Sequence, residues 1–346
     1  MAHRSIPDGE PAHTPAPTPW FDGGPRSGLV LGGGGARGLA SIGIVEVLEA
    51  EGLRPTVIAG TSMGALIGAF LASGSSAADC HAITRTLRWT DVLDLGRHGG
   101  LIKGERYGRW LAERLPARFA DLKLPLAVTA TDIERGETVV LRDGDLISAI
   151  RASTAFPGAF APVARAGRLL VDGGVLNTLP LDVIRAYDVA MVVAADFAAP
   201  RARPLDGGET GVGWQRLWES LTFRRRGLAA DVLLKAVDIM QAEISAERLR
   251  RHPPEVRIAP VMDHIRIEDF RRHEEIIAAG AGEARRVLDR LRRQGTGPLA
   301  AGRTQAAVPS AEDAGESVSA PGSVPRSPVR AGGHESDPEG SHRGDA

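Results

Sequence analysis

Thr56-Val57-Ile58-Ala59-Gly60-Thr61-Ser62-Met63-Gly64-Ala65-Leu66-Ile67-Gly68 begins as a β-branched, apolar run, which reads as a buried strand. It then passes through Gly60-Thr61-Ser62-Met63-Gly64 into an apolar segment that continues to Ala72 and reads as a helix starting at Ser62. Gly-x-Ser-x-Gly between a strand and a helix is a nucleophile elbow, a sharp turn that lifts the serine hydroxyl clear of the backbone. Side chains at Gly60 or Gly64 would collide with the neighbouring strand or helix. The helix end behind Ser62 points its amides at whatever the serine attacks and favours developing negative charge. A membrane span is the competing reading. No charge occurs from Pro55 to Ala78, and Gly60, Gly64 and Gly68 are spaced like a helix–helix interface in lipid. Against it, Thr61, Ser62, Ser73, Ser75 and Ser76 dilute the apolarity, and a helix buried between a sheet and other helices is also apolar all round.

Outward from this stretch, the first apolar strand, Gly28-Leu29-Val30-Leu31, runs into Gly32-Gly33-Gly34-Gly35-Ala36-Arg37-Gly38 and then a helix from Leu39 to Ala50. Strand, glycine loop and helix together form an anion cradle of unobstructed amides. Gly33, Gly35 and Gly38 satisfy Gly-x-Gly-x-x-Gly, the dinucleotide fingerprint. That fingerprint needs a carboxylate closing the second strand, and here the second strand closes on Gly60-Thr61-Ser62. No Gly-Lys-Ser/Thr follows, so a P-loop is excluded. A glycine loop beside a nucleophilic serine supplies an oxyanion hole.

A serine nucleophile needs a base. His81, His98, His252, His264 and His273 lie in polar or charged stretches, and none follows an apolar strand as a triad histidine would. A carboxylate is the remaining acceptor. Asp132, Asp172 and Asp196 each end an apolar strand, and spacing does not choose among them. Asp172 has one advantage: Gly173-Gly174 permit a tight turn and the close approach of another loop.

Gly33–Gly38, Gly60–Gly64 and Asp172-Gly173-Gly174, with Ser153-Thr154-Ala155-Phe156-Pro157-Gly158-Ala159-Phe160-Ala161-Pro162-Val163 between them, resemble the patatin-like phospholipase family in that order. The resemblance is close from Gly28 to Phe197 and looser through Ile265–Phe270 and the helix that follows. It implies a Ser–Asp dyad without histidine, with Ser62 as nucleophile and Asp172 as proton acceptor. It further implies an oxyanion hole from the amides of Gly33, Gly34 and Gly35, to which Met63 could add. Gly174 stands where many members have Ala. Arg37 matches the family's basic position and is read as fixing the loop by hydrogen bonds. The implied activity is hydrolysis of carboxylic esters of lipids, with a lipid ester as partner and no cofactor or metal.

The implied fold is a three-layer α/β/α domain around a mainly parallel sheet, which the alternation of strands and helices also suggests. Strands are expected near Gly28–Leu31, Thr56–Ala59, Leu124–Thr131, Thr138–Leu141, Leu169–Val171 and Val189–Phe197. The 346 residues carry a net charge of −1, so no global attraction to nucleic acid is expected. Cys80 is the single cysteine. It permits no intrachain disulfide, fits a reducing cytoplasm and reads as packed rather than reactive. Residues 1–27 and 295–346 read as disordered tails around a domain at 28–294.

Leu228–Arg251 repeats Val232, Leu233, Ala236, Ile239, Met240 and Ile244 at helical spacing, read as packing on the core. Trp214–Arg226 sets Trp214, Trp218, Leu221 and Phe223 beside three arginines. It is read as a mobile flap in transient contact with a lipid surface, or else as a partly packed helix. Two other function classes stay open: a nucleotide-binding protein using Gly33–Gly38, and a non-catalytic, membrane-associated interaction protein. The sequence leaves the oligomeric state open.

Overall fold

The computed structural model describes residues 26–87, 102–198 and 225–294, from 225 to 231 by the backbone alone. Contacts divide the chain into Met1–Thr304 and Gln305–Ala346. The second unit, both expected tails apart from 26–27, His98, and Trp214–Arg226 apart from the backbone of 225–226 lie outside the described residues.

An eight-stranded sheet forms the centre, in the order β5-β6-β3-β2-β1-β7-β8 with β4 paired to β3. Its strands are β1 Ser27–Leu31, β2 Val57–Thr61, β3 Leu126–Asp132, β4 Glu137–Leu141, β5 Val163–Arg165, β6 Arg168–Asp172, β7 Met191–Ala195 and β8 Val256–Ile258. β3, β2, β1, β7 and β8 run parallel, which demands helical crossovers. β4, β5 and β6 complete the sheet antiparallel. The expected strands are all present, with ends shifted by one or two residues. β5 and β8, of three residues each, escape sequence reading.

The helices are α1 Ala40–Ala50, α2 Met63–Ser73, α3 Ala77–Thr86, α4 Glu105–Ala112, α5 Leu146–Ser153, α6 Leu181–Arg185, α7 Arg225–Arg251 and α8 His273–Arg293. A 3₁₀ turn, Gly35–Leu39, precedes α1. Alternation along each strand feeds two cores. Leu29, Leu31 and Ile58 face the larger one with α1, α2 and α8. Val30, Val57 and Ala59 face a smaller one with Leu181, Val183 and Ile184 of α6. This is a three-layer α/β/α arrangement, and parallel strands buried on both faces explain the near-continuous apolar runs. α2 is 11 residues long, and among the described residues no helix is long and apolar enough to cross a membrane. Cys80 is buried, and burial pushes its thiol up to about 12, so it is packed rather than reactive.

Two expectations are corrected. α2 starts at Met63, with Ser62 outside the helix as its cap residue. α7 does not turn its apolar repeat toward the core: Val232, Leu233, Ile239 and Met240 are exposed, whereas Asp238, Ala242 and Ser245 are buried. Its inward stripe is held by polar contacts instead, described below.

Candidate active site

The elbow is built by close approach. A β-carbon at Gly64 would run into the carbonyls of Leu31 and Gly32, and one at Gly60 into the backbone of Gly64 and Ala65. β2 and α2 therefore meet with nothing between them, and the chain must reverse within Ser62. Ser62 takes φ 54°, ψ −122°. Only Ser62 and Ala166 among the described non-glycine residues have positive φ. Such a conformation costs about 1–3 kcal/mol and persists only where its surroundings over-determine it. Those surroundings are polar and buried. The Ser62 N–H donates to Ser153 Oγ at 2.9 Å. Thr61 Oγ1 lies 2.6 Å from Thr129 Oγ1 and donates to the Asn177 carbonyl at 2.8 Å.

Sheet register sets the acid. Thr61 is level with Thr129 across β2–β3, and Asp172 is level with Ala130 across β3–β6. Ser62 and Asp172 therefore flank β3 at one height, although β6 runs antiparallel to β3. Ser62 Oγ donates to Asp172 Oδ2 at 2.6 Å. Asp172 Oδ1 accepts the Gly174 N–H at 2.7 Å, a bond the Gly173-Gly174 turn makes possible. Gly173 packs against Thr129. Asp172 is buried, 3% exposed. Burial lifts its carboxyl from the ordinary 3.8 to about 6, against the lowering by the Ser62 and Gly174 hydrogen bonds.

The other two strand-end aspartates are engaged elsewhere. Asp132 Oδ2 accepts from Arg135 at 2.7 Å and from Arg168 at 3.1 Å. Burial pushes Asp132 up, but the Arg135 hydrogen bonds and charge outweigh it and hold the carboxyl below its ordinary value. Asp196 Oδ2 is clasped by Arg257 at 3.0 and 2.6 Å. Three of the candidate histidines also have other partners: His81 and His273 stand against Glu274, and His264 against Glu275.

The glycine loop lies alongside. Gly34 and Gly35 have φ 150° and 56°, which only glycine adopts without strain. Among the described residues the N–H groups of Gly34, Gly35 and Met63 have no protein acceptor. The Gly33 N–H does not share that freedom, since it donates to the Thr178 carbonyl at 2.8 Å. The expectation that Gly33 offers a free amide is therefore corrected, and the available set is Gly34, Gly35 and Met63. The loop is pinned further by Ala36 N–H to the Ile267 carbonyl at 2.8 Å. Gly38 packs against Met63 at the base of the elbow. Arg37, 2% exposed, donates from Nη2 to Asp238 Oδ1 of α7 at 2.5 Å. Its bond thus ties the loop to α7 rather than closing the loop on itself.

These groups line one cavity of about 330 Å³, within the usual size of ligand sites. Its polar lining comes from the glycine loop, Ser62, Met63, Asp172 and Gly174, with Thr154, Gln241 and Glu268 beside them. Leu66, Tyr107, Phe156, Phe160, Leu234, Ile267 and Phe270 form its apolar wall. Burial pushes the Tyr107 phenol up, so it stays neutral. Among the described residues no three His, Cys, Asp or Glu side chains converge as metal ligands would. Ser153, Asn177, Tyr107, Asp238 and Gln241 are not singled out as site residues in sequence. Ser153 lies in a quoted block, but only the fold reveals its contact with the elbow.

Residues 29–185 match the family model described as Patatin-like phospholipase. An NTE family protein of Mycobacterium tuberculosis is 35% identical over 193 residues, covering 54% of this chain and 53% of that protein. Patatin-like phospholipase domain-containing protein 7 of Mus musculus is 31% identical over 281 residues, covering 75% of this chain and 20% of that protein. The chain thus spans about half the length of the mycobacterial relative and a fifth of the mouse one. Among solved structures, VipD from Legionella pneumophila superposes with TM-score 0.51 at 16% identity, covering 77% of this chain and 67% of that one, a likeness of fold.

Proposed function

We propose, from the membership of residues 29–185 in the patatin-like phospholipase family, that this chain is a serine acyl hydrolase. It cleaves carboxylic esters of lipids with Ser62 as nucleophile and Asp172 as the only base. The observation that carries the reading is the 2.6 Å hydrogen bond from Ser62 Oγ to Asp172 Oδ2 in a mostly apolar cavity. Ser62 Oγ attacks the acyl carbonyl, and its proton passes to Asp172 Oδ2. The carbonyl oxygen becomes an oxyanion received by the amides of Gly34, Gly35 and Met63. Collapse breaks the ester C–O bond, and the departing alkoxide takes the proton from Asp172. Water then attacks the acyl–Ser62 ester, giving a proton to Asp172. The free acid leaves, and Ser62 Oγ recovers its proton.

Two physical features support the roles. A base works best with a pKa near the operating pH, and burial holds Asp172 near 6, where it is ionised at neutral pH yet basic enough to share the serine proton. The apolar cavity wall suits an acyl chain, and the "phospholipase" in the mouse relative's name fits a lipid ester. The free amides of the glycine loop serve the oxyanion in this reading rather than a nucleotide phosphate. The test is turnover of a short chromogenic ester and of a long-chain phospholipid. Ser62→Ala should remove both activities, and Asp172→Asn should lower both by about 10²–10⁴-fold. Activity of Ser62→Ala within a few fold of the parent would sink the proposal.

A further inference from the structure

α7 carries two opposed faces. At 100° per residue, Val232, Leu233, Ala236, Ile239 and Met240 fall within an arc of about 120°. Val232, Leu233, Ile239 and Met240 are 48, 60, 40 and 57% exposed, and Ala236 is exposed too. No charged side chain interrupts this two-turn arc until Glu243. The opposite arc faces the site. Asp238 holds Arg37 of the glycine loop, Gln241 Nε2 donates to the Gly174 carbonyl at 3.3 Å, and Arg248 donates to Asp182 Oδ2 at 2.7 Å. Leu234 and Gln241 line the cavity itself. One helix therefore turns polar contacts toward the catalytic loops and aliphatic side chains toward solvent, the inverse of a helix that only packs on a core.

We propose that this outward face of α7 docks on the surface of a lipid bilayer and so brings the cavity lined by the same helix against lipid esters. The inference deepens the reading of the chain as a lipid acyl hydrolase and rests on it for the choice of partner. A second copy of the chain is the lesser fit. Four aliphatic side chains at about half exposure present only a few hundred Å², below the roughly 800 Å² per partner of a stable interface. Shallow, reversible insertion of an apolar helix face needs no such area.

Co-sedimentation of the full chain with phosphatidylcholine vesicles, with and without phosphatidylglycerol, tests this without requiring turnover. The parent should pellet with vesicles. The double variant Leu233→Asp/Met240→Asp should partition at least tenfold less, equivalent to about 1.4 kcal/mol, and Ala236→Leu should partition several-fold more. All three positions are exposed, so the fold tolerates them, and turnover of a short ester in solution should stay within about twofold. The proposal is overturned if the parent does not pellet or if the double variant pellets like the parent. It is also overturned if gel filtration shows a dimer that the double variant separates without any change in vesicle binding. Vesicle binding that follows these expectations in a protein without esterase activity would overturn the hydrolase reading and leave the docking face standing.

Discussion

Replacing Asp172 by Asn should stabilise the protein at neutral pH while it removes the proposed base. Asp172 is buried, and its carboxyl stands near 6 in the fold against an ordinary 3.8. The folded state therefore binds this proton more tightly than the unfolded chain. The side chain weighs least on stability below pH 4, and stability is lost as pH rises from about 4 through 6. A difference of this size corresponds to about 3 kcal/mol once the group is fully ionised. Asn cannot ionise, yet its Oδ1 can still accept from the Gly174 N–H and its Nδ2 can donate to Ser62 Oγ. Above pH 7 the variant should gain up to about 3 kcal/mol, which raises Tm by about 5–10 °C in a domain of this size. Below pH 4 the two proteins should melt together. Thermal unfolding followed by circular dichroism from pH 3.5 to 8 reads this directly. A variant less stable than the parent at pH 8, or an equal difference at pH 4 and pH 8, would refute the claim that burial of the ionised carboxylate strains the site.

For the proposed reaction, kcat/KM on a short ester should rise about tenfold per pH unit below 6 and level off above it, because in that mechanism only ionised Asp172 can accept the serine proton. A profile flat from pH 5 to 8 would contradict this. Ser153→Ala leaves the Ser62 N–H without its acceptor at 2.9 Å and should lower stability by about 1–3 kcal/mol in a denaturant titration, with kcat falling more than KM rises. An unchanged midpoint and kcat would show that the elbow does not lean on Ser153. Changing His81, His252, His264 or His273 singly to Ala should leave turnover within a few fold. Loss with any one of them in a folded protein would point to a triad.

Much of this site is written in local sequence. The β-branched run Thr56–Ile58 followed by Gly60-Thr61-Ser62-Met63-Gly64 specifies strand, turn and helix, because only glycine permits the backbone approaches found at positions 60 and 64. The hairpin of β3 and β4 is legible as two apolar runs around a turn. β5 and β8 are too short to show a period. By spacing Asp172 is one of three alike strand ends, with Gly173-Gly174 as its one local advantage. What confirms the separation is tertiary: Arg257, distant in sequence, engages Asp196, and Arg135 and Arg168 engage Asp132. The glycine pattern shows where amides are unhindered, but not that the Thr178 carbonyl already holds the Gly33 N–H. Periodicity shows that α7 has an apolar face, but not its direction. Direction is set by Asp238, Gln241 and Arg248 and by their partners on other elements.

The central claim is that Ser62 is a nucleophile activated by Asp172 alone. Mass spectrometry of the protein after reaction with a fluorophosphonate tests it most directly. One adduct per chain on the peptide containing Ser62 is expected, at a rate that rises with pH through about 6 and falls strongly in Asp172→Asn. Folded protein that takes no label at Ser62, or labelling that proceeds equally fast in Asp172→Asn, would contradict the account.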